Sequence, residues 1–168
     1  MNMNTTSLAN KDQKNTKAIL QSRLVDCIDL MQQAKQAHWN VRGMHFLALH
    51  ELFDKLHESL EESADQIAER IMQQDGIAEG TCKFVATHSS LPEFPKGIRD
   101  GNELIIFMHE SLLVFRKLLE QNLDSLAKWN DPITADLLTD ISRGIDKNLW
   151  FLDSHLPLQK KSVASSVA

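Results

Sequence analysis

The stretch AHWNVRGMHFLALHELFDKLHESLEESADQIAERI, residues 37–71, decides how this chain is read. Leu49, Leu52, Phe53, Leu56, Leu60, Ala64, Ile67 and Ile71 recur at the spacing of one face of an α-helix. Metal-capable side chains lie beside that stripe. An α-helix turns about 100° per residue. With His50 set at zero, the apolar residues from Leu52 to Ile71 gather at roughly 200–320°. Asp54, Asp65 and Glu69 fall at about 40°, 60° and 100°, on a flanking strip. His50–Asp54 and Asp65–Glu69 are both i,i+4 pairs, so each offers two ligands to one place.

One chain cannot bring the two pairs to a single ion. Asp54 and Asp65 are separated by roughly 16 Å of helix, whereas metal–ligand bonds are about 2 Å long. Two such helices laid antiparallel about a two-fold axis near Ser59–Leu60 remove the difficulty. His50 and Asp54 of one chain then face Asp65 and Glu69 of the other, giving two identical sites across one isologous contact. His38, at the end of the preceding helix, completes the set. Two imidazoles and three carboxylates suit iron better than calcium, which takes oxygen alone, or structural zinc, which favours closed Cys/His sites. Zinc is the expected competitor. Any one of these residues, taken singly, is more often a solvated charge at a helix edge. That plain role is assigned to His57, Glu58, Glu61 and Glu62.

Reading outward, four long helical patterns appear, at about 18–39, 45–74, 100–128 and 131–154, with no convincing strand. Gly43 separates the first two, Gly76 is a stop for the second, and Asp131-Pro132 is a cap followed by a first-turn proline. The segment GIAEGTCKFVATHSSLPEFPKGIRDG between helices two and three is too long for a bundle hairpin and has room for a short helix. Four helices with one long middle connection predict an all-α, ferritin-like four-helix bundle. The expected division is a basic, flexible tail at 1–17, a bundle at 18–158 and a flexible tail at 159–168.

Composition fits this reading. A chain of 168 residues with 42% hydrophobic residues builds one domain with a real core. No apolar run reaches membrane-spanning length and the N-terminus lacks the apolar middle of a signal peptide, so a cytoplasmic location is expected. Cys27 and Cys82 form no metal-type pair and are read as free thiols. Residues 1–17 and the last ten each carry a net +2, so the body between them holds −9 of an overall −5.

The 37–71 stretch also resembles the signature of the Dps family, DNA-binding proteins from starved cells that form ferritin-like miniature cages. The likeness continues through IAEGT at 77–81 and SRGIDKNLWFL at 142–152, and covers nearly all of the chain apart from its ends. The spacing His-x11-His-x3-Asp-x10-Asp-x3-Glu is its most specific part. The resemblance implies that His38, His50, Asp54, Asp65 and Glu69 are the ferroxidase residues, the last two reaching the site from a two-fold mate. It implies a dodecamer that oxidises ferrous iron at two-iron sites, preferably with hydrogen peroxide, and stores a ferric mineral. It also implies an iron-entry pore, with Asp136 the best-matching residue and Asp131 and Asp140 beside it. Asp131 has the alternative role of helix cap. Trp39 and Trp150 match family tryptophans, and the main role expected of Trp39 is an aromatic anchor at a helix end, with a place next to the metal ligands as the other reading.

DNA binding is less legible. Lys11, Lys14 and Lys17 face one aspartate in the N-terminal segment, with no aromatic interleaving. One such tail binds phosphate weakly and loses affinity with salt, while twelve act together through effective concentration. The acidic body opposes them. The alternative to an iron-storing ferroxidase is therefore a non-specific, nucleoid-compacting DNA-binding protein with a secondary metal site. His45, His57, His88, His109 and His155 have no assigned site, nor does Cys82.

Overall fold

The computed structural model describes residues 3–156, with side chains from residue 12 onward. Five helices follow in order: α1 Met3–Asn40, α2 Phe46–Gln73, α3 Cys82–His88, α4 Gly101–Lys128 and α5 Pro132–Asp153. Among the described residues there is no strand, only an isolated bridge between Arg42 and Asp100. The four long helices form the predicted bundle, with α1 against α2, α4 against α5, α1 against α4 and α2 against α5. Among the described residues, no helix is long and apolar enough to cross a membrane.

The helical stripe of α2 is buried as its periodicity requires: Leu49, Phe53, Leu56, Leu60, Ala64, Ile67 and Ile71 all face the core. They meet Leu20, Leu24, Cys27, Leu30 and Ala34 of α1 and Leu104, Met108, Leu112 and Phe115 of α4 in one cluster. Burial on this scale is the main favourable term for the bundle.

The helix ends have identifiable causes. Asp100 caps α4 by accepting from the backbone N–H groups of Asn102 and Glu103. Gly43 has φ +118°, a left-handed conformation that glycine adopts without a Cβ penalty, and it reverses the chain between α1 and α2. At the end of α2 the left-handed residue is Asp75, φ 55°, rather than Gly76. Gly76 is needed for a different reason: a Cβ there would lie 2.6 Å from Ile71 Cγ2 and 2.9 Å from its carbonyl oxygen.

One expectation changes. The helical boundary placed at residue 18 moves to Met3, so residues 3–17 are the opening turns of α1. Thr16 is already buried, and Lys17 Nζ lies 3.5 Å from the Asp75 carbonyl oxygen. The segment expected at 159–168 lies outside the described residues.

The long connection is strapped to α1 rather than left free. Gln21 exchanges two hydrogen bonds with the Glu79 backbone, at 2.7 and 3.0 Å. Fully buried Asp26 accepts the Ser90 N–H at 2.7 Å, and the Gln33 amide donates to the Pro92 carbonyl at 3.0 Å. Arg23, itself buried, stands 2.6 Å from Asp26 as its counter-charge. Burial pushes the Asp26 carboxyl up, against the opposing pull of Ser90 and Arg23.

Candidate metal centre

The site is built where α1 ends and α2 begins. The rings of His38 and His50 stack with centroids 3.6 Å apart. His38 Nδ1 lies 2.8 Å from the His50 carbonyl oxygen, and His50 Nδ1 lies 2.8 Å from the His38 carbonyl oxygen. A carbonyl only accepts, so each Nδ1 carries the proton and donates. In the neutral ring each Nε2 then holds a free lone pair, the form in which imidazole binds a metal.

This exchange also solves a helix-end problem. The last carbonyls of an α-helix lack intrahelical donors. Arg42 N–H, which would continue the ladder to His38, donates instead to the Arg99 carbonyl. His50 supplies the missing donor. The imidazole pair therefore ties α1 to α2 while it holds both Nε2 atoms in place.

Asp54, one turn after His50, has its Oδ1 3.8 Å from His38 Nδ1. The same oxygen is hydrogen-bonded to the Lys35 ammonium. That bond holds the Asp54 carboxyl below the usual carboxylate range; desolvation opposes it, and the charges of His38, Lys35 and His57 add to it. Lys35 was not legible as a site residue, because a lysine at a helix edge carries no sequence signal. His57 was set aside as part of a charged face. Its Nδ1 is held 3.1 Å from the Met31 carbonyl oxygen, the same anchoring to α1 that His50 shows. A third imidazole thus lies along the α1–α2 seam, seven residues after His50.

Asp65 and Glu69 are exposed and remain apart from these groups, farther along α2. Among the described residues, no three His, Cys, Asp or Glu side chains of this one chain gather closely enough to hold a metal ion. Asp65 borders a groove of about 280 Å³ with Leu24, Ile28 and Ala68. Glu69 lines a cavity of about 410 Å³ between α2 and α5 together with Asp136, Asp140 and Arg143.

The three pore candidates differ in their surroundings. Asp131 is the N-cap of α5, accepting from Thr134 N at 3.1 Å, Thr134 Oγ1 at 2.7 Å, Gln74 Nε2 at 3.0 Å and Arg70 at 3.2 Å. Burial opposes its ionisation, but Thr134, Arg70 and Gln74 outweigh it and hold the carboxyl below its ordinary value. Asp140 is paired with Arg143 at 2.8 Å. Asp136 is exposed, and among the described residues it has no ion-pair partner.

The remaining candidates are dispersed. Trp39 and Trp150 are both about two-thirds exposed, at 65% and 64%. His109 pairs with Asp153 at 2.9 Å, His88 stacks on Phe84, and His45 and His155 border a separate cavity. Cys82 is exposed; Cys27 is buried, donates to the Leu60 carbonyl, and has its thiol pushed up to about 12 by desolvation. Lys14 is exposed, and the side chain of Lys11 lies outside the described residues.

A ferritin-like domain family matches residues 17–161. The DNA protection during starvation protein of Agrobacterium fabrum is 37% identical over 144 residues, covering 86% of this chain and 88% of that protein. The chain belongs to the Dps family. A Dps crystal structure from Deinococcus radiodurans superposes with a TM-score of 0.84 at 31% identity, over 89% of this chain and 90% of that one. Dps from Microbacterium arborescens, solved in a high iron form, gives 0.80 at 29% identity over 86% and 93%. The all-α, ferritin-like architecture expected from the helical pattern is therefore the Dps fold.

Proposed function

We propose that this Dps-family chain is an iron-storing ferroxidase whose sites are each completed by two chains. The observation that carries the reading is the reciprocal anchoring of His38 and His50. It leaves the Nε2 of each ring free on rings that adjoin Asp54, whose Oδ1 lies 3.8 Å from His38 Nδ1, while the matching acid pair begins eleven residues on, at Asp65, and ends at Glu69. Antiparallel pairing of α2 about Ser59–Leu60 supplies that pair from the partner. The resulting nitrogen and oxygen donors suit ferrous iron, which is the substrate, with zinc as competitor.

In the reaction two ferrous ions each give up one electron. Hydrogen peroxide takes both, its O–O bond breaks, and with two protons it becomes two molecules of water. Hydrolysis of the ferric product then releases protons and deposits mineral. Removing iron and peroxide together protects the cell from hydroxyl radical. The family resemblance supports a twelve-chain shell with a cytoplasmic location and Asp136 at an entry pore, where copies of one carboxylate around an axis would draw in cations. Lys35 competes for Asp54 in the metal-free protein, so iron entry includes displacement of an ammonium.

The test is anaerobic mixing of apo protein with ferrous iron, then peroxide, following ferric absorbance and peroxide loss together. About one peroxide per two irons is expected from paired oxidation. Asp65→Asn with Glu69→Gln, and separately His50→Ala, should each abolish fast oxidation. Mixing the two inactive proteins under conditions of subunit exchange should restore part of it. No recovery despite demonstrated exchange would overturn the shared site.

The names of the curated relatives connect the family with DNA, and non-specific DNA binding is the second reading. Lys11→Gln with Lys14→Gln should weaken DNA retention in low salt; unchanged retention removes this segment as the binding element.

A further inference from the structure

Along the metal flank of α2, residues pair by symmetry about one point. His50 with Glu69, Asp54 with Asp65, and Glu58 with Glu61 are each centred between Ser59 and Leu60. Farther out along the same strip, about the same centre, the apolar pair is Leu47 with Met72. With His50 at zero, Leu47 falls at about 60° and Met72 at about 40°, inside the strip that carries Asp54 and Asp65. Both are left in water, 64% and 57% exposed, on a helix whose main apolar stripe is fully used by the core. They are the two most exposed large hydrophobic side chains of α2.

We propose that Leu47 and Met72 form the apolar closure of the contact between two copies of this chain, with Leu47 seated on the partner's Met72 at one end and Met72 on the partner's Leu47 at the other. The inference rests on the shared-site reading and adds the residues that hold the two halves of each site in register. Each Leu47–Met72 contact lies just outside a metal site, on the side away from the axis, where it also keeps water from that end of the site.

The centre of the contact makes such a closure necessary. Under the same pairing Glu58 faces the partner's Glu61, and four carboxylates crowd the axis. Like charges placed together oppose association and are screened by salt. The apolar ends must therefore carry the contact, and added salt strengthens it. A contact held by ion pairs would weaken instead.

Thiol cross-linking tests the register without iron. In a Cys82→Ser background, where the remaining Cys27 is buried, Leu47→Cys and Met72→Cys are made singly and together. Across the proposed axis, 47 meets 72, while two copies of one position are roughly 38 Å apart. A short bismaleimide should give covalent dimers from the double variant and only background from either single variant. No dimer from the double variant, or equal dimer from a single one, overturns the proposal. Recovery of iron oxidation in mixed chains without this cross-link would leave the shared site standing and refute the closure; loss of both would remove the common axis. As a second readout, Leu47→Lys should weaken association, and adding Met72→Glu in the same chain should restore it. No weakening, or no restoration, would also count against the pairing.

Discussion

Replacing His50 by alanine should cost more at the end of α1 than replacing His38, although the two rings make mirror-image hydrogen bonds. His38 donates to the His50 carbonyl, which lies inside α2 and already accepts a helical N–H. His50 donates to the His38 carbonyl, which has lost its helical donor because Arg42 N–H turns to Arg99. Deleting His38 removes a second bond from a satisfied oxygen. Deleting His50 leaves a helix-end oxygen without its donor. A hydrogen bond of this kind is worth about 1 kcal/mol and the ring stack about another 1 kcal/mol. A loss of about 2 kcal/mol corresponds to roughly 30-fold faster opening, since 1.4 kcal/mol is tenfold. The assay is amide hydrogen exchange over the last turn of α1 in metal-free, chelator-treated protein, with parent and variants compared in the same state of assembly. His50→Ala should speed exchange there by about 30-fold, with the smaller effect in His38→Ala. Equal effects, or none, would refute the claim that the His50 imidazole is the cap of α1.

Three other outcomes follow from the same contacts. Lys35→Met should raise the titration midpoint of the Asp54 carboxyl toward the ordinary aspartate value, followed by carbon-detected NMR; an unmoved midpoint would mean the ammonium is not what holds it down. Asp131→Ala should destabilise by about 1–2 kcal/mol through loss of the α5 cap. Because the folded Asp131 carboxyl lies below its unfolded value of about 3.9, its contribution is present above that pH and is lost as pH falls through the folded value. Thermal melts of parent and variant should therefore converge in acid. Arg23→Met leaves buried Asp26 without its counter-charge and should cost about 3–5 kcal/mol at neutral pH. Since the folded Asp26 carboxyl is raised, that deficit should shrink as pH falls and the carboxyl protonates, and a pH-independent deficit in the melts would argue against it.

Much of the fold was legible because it rests on local periodicity. The α2 stripe from Leu49 to Ile71, the Asp131-Pro132 start and the over-long middle connection report on backbone geometry within a few residues, and the bundle follows from them. The start of α1 was not legible. Residues 3–17 are polar and lack an apolar period, so their helical state depends on continuity with α1, Thr16 burial and the Lys17–Asp75 contact. Asp75 shows the same limit, since the glycine beside it is the stronger sequence signal for a turn while the left-handed backbone belongs to the aspartate.

For the site, the sequence by itself determined which residues are metal-capable, which share a helix flank, and that two of them lie too far from the others to serve one ion in one chain. Those conclusions need only the rise and turn of an α-helix. The tertiary structure alone decided the states of those residues. It put the His38 and His50 rings in contact across two helices, assigned the proton on each ring through a carbonyl from the other helix, brought Lys35 onto Asp54, and added Arg70 and Gln74 to the Asp131 cap that the sequence already indicated. Each is a contact between segments that sequence spacing does not relate. Hydrogen-bond partners and local charge depend on distances of a few ångströms that only packing sets.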